Sequence, residues 1–474
     1  MTKVYTSLNE IKSDIKANKI SLESLVKGYL ENIKQNADLN AFNEVFEEEV
    51  LISAINVDAK IKNGTAGKLA GMVIAIKDNI CYKGHKSSAS SKILEGFTAI
   101  YSSTVVERLL QEDVLIIGRC NCDEFAMGGS NENSYYGPVK NFAKKTKVSG
   151  GSSGGSAVAV QANMCLAALG TDTGGSVRQP ASFCGLIGLK PTYGRISRHG
   201  IIAYASSFDQ VGTITRSIDD ASLLLEILAG ADEYDSTLST QRVPAFSQNL
   251  TTPSPKKIAY LQEALTSNGV DEEVKKIFNH HIQKLKAEGH IVEPIAFQYL
   301  DYLVPTYYIL ATAEASSNLS RYDGVHYGYR STNAIDLQST YKKSRSEGFG
   351  KEVKRRIMLG TFVLSAGYYE AYYAKAQKVR KLIRQQTDAI LNNYDFIMLP
   401  TAPEPAFNIG NEESDPIKTY LHDIFTVQAS LTGAPAISLP AGNNKIGLPI
   451  GLQLITKNFE EQELLNFSNY FLKL

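Results

Sequence analysis

The strongest constraint in this sequence is a series of short apolar runs, each bounded by turn residues and separated by stretches that read as helix. GMVIAI (71–76), VLIIG (114–118), CLAALG (165–170), KIAYL (257–261), DFIML (395–399), PAISLP (435–440) and PIGLQLI (449–455) carry at most one charge each. Continuous apolar strands that alternate with helices predict a mixed or mostly parallel sheet with both faces covered. The expected class is therefore α/β, with a mixed central β-sheet sandwiched by helices.

The first 64 residues read as an N-terminal helical region. Ser7 and Glu10 form a capping-box pattern, and Ser21 caps SLESLVKGYLENIKQ. A third helix is expected from about residue 43 to 62, ending at Asn63-Gly64. Residues 65–474 carry the α/β/α core. The polar stretch EYDSTLSTQRVPAFSQNLTTPSPK (233–256) reads as a surface excursion. Strands are predicted on both sides of it, so one domain over 1–474 is expected.

Lys plus Arg is 49 and Asp plus Glu is 49, a net charge of zero. A chain that grips nucleic acid by itself usually shows a basic excess, so any such partner is expected to be held mainly by another subunit. The five cysteines, Cys81, Cys120, Cys122, Cys165 and Cys184, fit no disulfide framework and no zinc pattern. They read as inert thiols of a reducing cytoplasm. No apolar run approaches the ~18 residues that span a membrane, and the N-terminus lacks a signal-peptide core. A cytoplasmic chain with no metal site and no membrane contact is the expectation.

The chemistry concentrates in KVSGGSSGGSAVAVQANMCLAALGTDTGGSVRQPASFCGLIGLKP (147–191), where glycine and serine surround two turns. A helix (about 154–163) and a strand (about 165–170) lie between them, and the turn Thr171 to Gly175 delivers Ser176. Glycines there let the backbone approach a ligand and expose successive N–H donors. Such donors suit a phosphate or a developing oxyanion. Ser176 beside them favours the oxyanion, because a nucleophile belongs there. The bland alternative is a flexible loop, but linkers do not enclose a buried strand with a tight turn at each end. No GxxxxGK[ST] phosphate loop is present. Gly151 to Gly155 matches GxSxG in letters only, since the residues before it (141–149, NFAKKTKVS) are polar rather than a strand.

A nucleophilic serine needs a base. Seven histidines, His85, His199, His280, His281, His290, His326 and His422, leave a Ser-His-Asp arrangement open. Lys77, directly after GMVIAI, is the other choice, since desolvation at a buried strand end makes a neutral amine base. The bland reading of Lys77 is a side chain snorkelling to the surface.

The run GGSSGGSA…GTDTGGSVRQPASFCGLIGLKPTYGR resembles the amidase signature, and GMVIAIKDNI resembles the segment that carries that family's catalytic lysine. The order agrees as well: Lys77, Ser152, then Ser176, with the resemblance covering about residues 5–470. It implies an amidase-signature fold with Ser176 as the acyl-forming nucleophile. Ser152, after a cis peptide bond, would bridge it to Lys77 through hydrogen bonds. The backbone N–H groups of Thr173, Gly174, Gly175 and Ser176 would form the oxyanion hole, with Asp172 organising the turn. Ser149 departs from the family pattern, which commonly has proline there.

Within the family, CDEFAMGGSNENS (122–134), AEASSNLSRYDGVHYGYR (313–330), GKEVKRRIMLGTFVLSAGYYEAYYAKAQKVR (350–380) and LHDIFTVQASLTGAPAISLP (421–440) resemble the glutaminase branch that serves tRNA-dependent amidotransferases. That branch implies L-glutamine held by Arg356 and Asp423, with Tyr307, Gly128 and Gly129 nearby. The bland reading of Arg356, among Lys351, Lys354 and Arg355, is a solvated helix face. The resemblance further implies a heterotrimer with B and C subunits. The B subunit would bind tRNA, use ATP and Mg²⁺, and amidate Glu-tRNA(Gln) or Asp-tRNA(Asn), leaving this chain without a cofactor. Two other readings stay open: a free-standing amidase on another small amide, and a non-catalytic anion-binding protein, which needs no nucleophile.

Overall fold

The seven apolar runs all become strands. In the structure, a computed structural model that describes residues 3–410 and 420–474, they are joined by four further strands in one sheet. In chain order the strands are β1 (Phe42–Val45), β2 (Val73–Lys77), β3 (Leu115–Cys120), β4 (Ala167–Asp172), β5 (Ile187–Lys190), β6 (Gln210–Thr215), β7 (Lys257–Leu261), β8 (Ile291–Ile295), β9 (Phe396–Pro400), β10 (Ala436–Asn443) and β11 (Pro449–Ile455). They lie in the order β1-β3-β2-β4-β6-β5-β10-β11-β9-β7-β8. β3, β2 and β4 are mutually parallel, as are β9, β7 and β8, while the strands from β4 through β9 pair antiparallel. The sheet is mixed, and β2, β3, β4 and β9 are buried along their whole length, as strands covered on both faces should be. Strands on both sides of 233–256 share this sheet.

The N-terminal helices run Leu8–Lys16, Leu22–Gln35 and Glu47–Asn63, the last ending on Gly64 with positive φ. Three local expectations need correction. Residues 42–45 are not the start of the third helix: Phe42 and Val45 pair with Cys120 and Gly118 as edge strand β1. The carboxylate of Glu10 accepts from the N–H of Thr6 at 3.1 Å, one residue before the cap, although Ser7 Oγ does accept from Glu10 N. The strand expected at 165–170 lies two residues later, because Thr171 and Asp172 pair with Val211 and Gln210 of β6.

Lys77 closes β2 and Asp172 closes β4. These strands are parallel neighbours with Ile76 opposite Leu169, so both ends open on the same edge of the sheet. Carboxyl ends of parallel strands are where α/β sheets bind ligands. Helix Gly154–Gln161, directly after the two serines at 152 and 153, is buried almost throughout beside them.

Arg356 lies on helix Lys351–Leu364, which packs along helix Leu300–Asn318, the bearer of Tyr307 and Tyr308. The helices approach so closely at Gly360 that a Cβ there would overlap the carbonyl oxygen of Thr312. Gly360→Ala is expected to cost about 3 kcal/mol by overpacking. Helix propensity offsets about 1 kcal/mol of this. Thermal melting checks the prediction, and an unchanged Tm would contradict the close packing.

Candidate active site

Lys77 exposes none of its surface. Its Nζ donates to Ser152 Oγ at 2.6 Å, Ser153 Oγ at 3.0 Å and Thr171 Oγ1 at 3.0 Å. Among the described residues, every acceptor within hydrogen-bond distance is neutral. Burial pushes the lysine down to about 8, and the more distant charges of Asp123, Asp172 and Asp209 oppose this only partly. A lysine so placed gives up its proton more readily than an ordinary one.

Ser152 follows a cis Gly151–Ser152 peptide bond. The loop is clamped on three sides. Gly151 N donates to Gln179 Oε1 at 3.0 Å, Ser152 O accepts from Asp123 N at 3.2 Å, and Ser153 N donates to Ser176 O at 3.1 Å. That last bond ties the two serine segments together. The side-chain link from Ser152 to Ser176 is not made: among the described residues Ser176 Oγ forms no hydrogen bond, while Ser152 Oγ is engaged by Lys77. Ser176 is 7% exposed, so its hydroxyl reaches the edge of the site.

The turn after β4 has an anchored base and undirected amides. Asp172 accepts from Val177 N at 3.2 Å and meets Arg178 through Nε at 3.0 Å and Nη2 at 2.9 Å. Burial alone would raise this carboxyl, but the Arg178 guanidinium holds it below its usual value. Thr173 Oγ1 donates to Asp209 Oδ1 at 2.7 Å, and Thr426 Oγ1 donates to Gly174 O at 2.5 Å. Gly175 has φ +140°, and a Cβ there would sit 2.5 Å from Thr426 Oγ1, so only glycine fits. Among the described residues, the N–H groups of Thr173, Gly174, Gly175 and Ser176 donate to no protein acceptor. Four successive amides beside a serine hydroxyl can hold an oxyanion.

Arg356 is buried, against its bland reading, while Arg355 beside it stays half in solvent. Arg356 Nε pairs with Glu352 Oε1 at 2.8 Å and Nη1 donates to Tyr204 Oη at 2.9 Å. The guanidinium lies 5.2 Å from the ring centre of Tyr308 and 5.6 Å from that of Tyr420. Tyr308 Oη donates in turn to Asp423 Oδ2 at 2.7 Å. Burial raises the Asp423 carboxyl, opposed by this hydroxyl and by Arg356. One tyrosine thus spans the two charges, which make no direct ion pair. The group continues to the oxyanion turn, since a Cβ on Gly174 would lie 2.5 Å from Tyr307 Oη. Gly129 faces Gln179 and Asp423, with 3.6 Å and 3.9 Å left for a Cβ. Gly128 is pressed against the carboxylate of Asp123, whose own N–H donates to Ser152 O at 3.2 Å.

Sequence reasoning missed several contacts. Ser153 and Thr171 share the lysine, and both lie within the glycine-serine turns, so their neighbourhood was a signal. Glu352 precedes Arg356 by one helical turn, a legible pair. Tyr204 lies 152 residues from Arg356 and gave none.

The profile of the family described as Amidase matches residues 24–465. The chain is 49% identical over 467 residues to the A subunit of the glutamyl-tRNA(Gln) amidotransferase of Chlorobium phaeobacteroides, covering 98% of both chains. A crystal structure of the corresponding A subunit from Thermotoga maritima superposes with TM-score 0.76 at 39% identity, over 94% of this chain and 90% of that one. The peptide amidase of Stenotrophomonas maltophilia superposes with TM-score 0.83 at 26% identity, over 99% and 96%. The similar relatives, the shared fold and the buried lysine–serine pair agree: the chain is an enzyme that belongs to the amidase family.

Proposed function

We propose that this chain is the glutaminase subunit of a tRNA-dependent amidotransferase, working in the cytoplasm with B and C subunits. What carries the proposal is the joint placement of the Lys77–Ser152 pair, the undirected amides of residues 173–176 and the Arg356–Tyr308–Asp423 chain. The first two cleave an amide, and the third suits an amino acid. Arg356 takes the α-carboxylate and Asp423 the α-ammonium of L-glutamine.

Ser176 Oγ attacks Cδ of the glutamine amide. Its proton passes to Ser152 as the Ser152 proton passes to neutral Lys77, and the carbonyl oxygen becomes an oxyanion facing the four amides. The relay needs a Ser152–Ser176 hydrogen bond, and catalytic hydrogen bonds often tighten only as substrate engages. When the tetrahedral intermediate collapses, the departing nitrogen takes the proton back and leaves as ammonia. Water then attacks the glutamyl ester, Lys77 again accepts a proton, and glutamate leaves as Ser176 regains its hydrogen. Ammonia goes to the B subunit, where ATP and Mg²⁺ activate Glu-tRNA(Gln) or Asp-tRNA(Asn).

Comparing glutamine with propionamide, which lacks both α-groups, tests the assignment. Arg356→Leu is expected to lower kcat/KM for glutamine by roughly 10²-fold or more, in the range for losing one partner of a buried charged contact. Hydrolysis of propionamide should change little. Equal losses on both amides would make Arg356 a structural residue and favour a free-standing amidase of other specificity.

A further inference from the structure

Away from the active site, helix Lys375–Leu391 presents Arg380 and Lys381, with Arg384 about one helical turn further on. These three residues line a cavity of about 510 Å³, within the range of small-molecule sites. Tyr193, Asn458 and Phe459 stand among the other residues of its wall. Among the described residues no Asp or Glu lines it, in a protein whose charges otherwise balance. Glu314, which accepts from Ser207, partly offsets Arg380, while Lys381 and Arg384 have little to neutralise them. Arg380 spends its donors on neutral oxygens, Leu431 O at 2.9 Å and Ser207 Oγ and O at 3.0 and 3.1 Å. Lys381 forms no hydrogen bond or ion pair among the described residues. Among the described residues Arg384 has only Asp388, at 3.8 Å, with both side chains more than half exposed. An isolated pair of that kind is worth little in water.

A cavity with this excess of positive charge calls for a phosphate, which arginine and lysine bind through charge-assisted hydrogen bonds. Its aromatic walls call for a flat ring, since bases stack on aromatic side chains. The carboxamide of Asn458 forms no hydrogen bond among the described residues, and its buried oxygen has no donor, so turning it toward a base breaks nothing. A magnesium–triphosphate complex fits poorly, because among the described residues no carboxylate lines the cavity to hold the metal. We infer that this cavity is a second ligand site, for a nucleoside phosphate bound without metal, either free or as a unit of an RNA strand.

The test uses the full chain. Fluorescently labelled adenosine monophosphate and a labelled tetra-adenylate are titrated by anisotropy, with unlabelled inorganic phosphate as competitor. Saturable binding is expected, weakened about tenfold or more in the Lys381→Glu/Arg384→Glu double variant, as for loss of charged phosphate contacts. These residues lie on an exposed helix face, so melting and glutamine hydrolysis of the variant should stay as in the wild type. Phe459→Ala should weaken the nucleotide by about 1–3 kcal/mol of stacking, roughly 5- to 150-fold, and leave competition by phosphate unchanged. Tighter binding of the monophosphate identifies a free nucleotide as ligand, and tighter binding of the tetra-adenylate identifies an RNA segment. Absence of binding, binding untouched by the charge reversal, or phosphate competing as strongly as the nucleotide would each overturn the proposal.

Discussion

Lys77→Met is expected to lower glutamine hydrolysis by roughly 10⁴-fold or more, the scale on which serine hydrolases lose activity when their base is removed. Methionine is of similar length and apolar, so it fits a position with no exposed surface. Among the described residues, the wild-type lysine donates only to neutral oxygens of Ser152, Ser153 and Thr171. Removing it therefore leaves no carboxylate in contact without its partner. Its folded value, near 8, lies below the ordinary 10.5. Below about 8 the fold bears the full penalty of burying an ammonium, and the penalty fades as pH rises toward 10.5. The methionine variant should thus melt no earlier than wild type at neutral pH while being nearly inactive. In the wild type the neutral amine is the reacting form, so the rate should fall as pH drops below about 8 and level off above it. Stopped assays across this range, under conditions where acylation limits the rate, make the check. A flat profile between about pH 6 and 9 would remove Lys77 as the base.

The same residues show what a sequence can reveal. Lys77 was legible because a charge directly after a run of buried apolar residues has few places to go. The central strands were legible because burial on both faces leaves continuous apolar runs. β8 was not, since IVEPI is an edge with three residues facing outward and a proline, and β6 was not, since QVGTIT carries glycine, threonine and glutamine through a buried position. Nothing local distinguishes Arg356 from Arg355. Which one turns inward is decided by the packing of its helix on Leu300–Asn318 and by Tyr204 and Tyr420, brought in from distant segments. Long-range contact chooses among side chains that propensity and periodicity treat alike. The family resemblance supplied Arg356 and Asp423. It also supplied Gly128, which packs against the carboxylate of Asp123.

The second large effect separates ammonia production from its use. Ser176→Ala should abolish glutamine-dependent amidation by the assembled complex, because no other group beside the four amides can form the acyl ester. The oxyanion hole left behind supplies only residual catalysis, on the order of 10³-fold over water, and this is too slow to support turnover. The fold should persist. Ser176 Oγ makes no hydrogen bond among the described residues, and the bond that ties its segment to Ser153 runs through its backbone oxygen. Ammonium salt should bypass the defect, since the proposed function gives ATP use and tRNA binding to the partner, and this chain's sequence shows neither a phosphate loop nor a basic excess. The measurement is amidation of charged tRNA with glutamine or ammonium as nitrogen donor, wild type against variant. Retained activity with glutamine would remove Ser176 from its role. Loss with both donors, in a complex that still assembles, would mean that this chain takes part in the tRNA step itself. Glutamine-specific loss is the outcome that assigns ammonia release to Ser176 and the use of that ammonia to the partner.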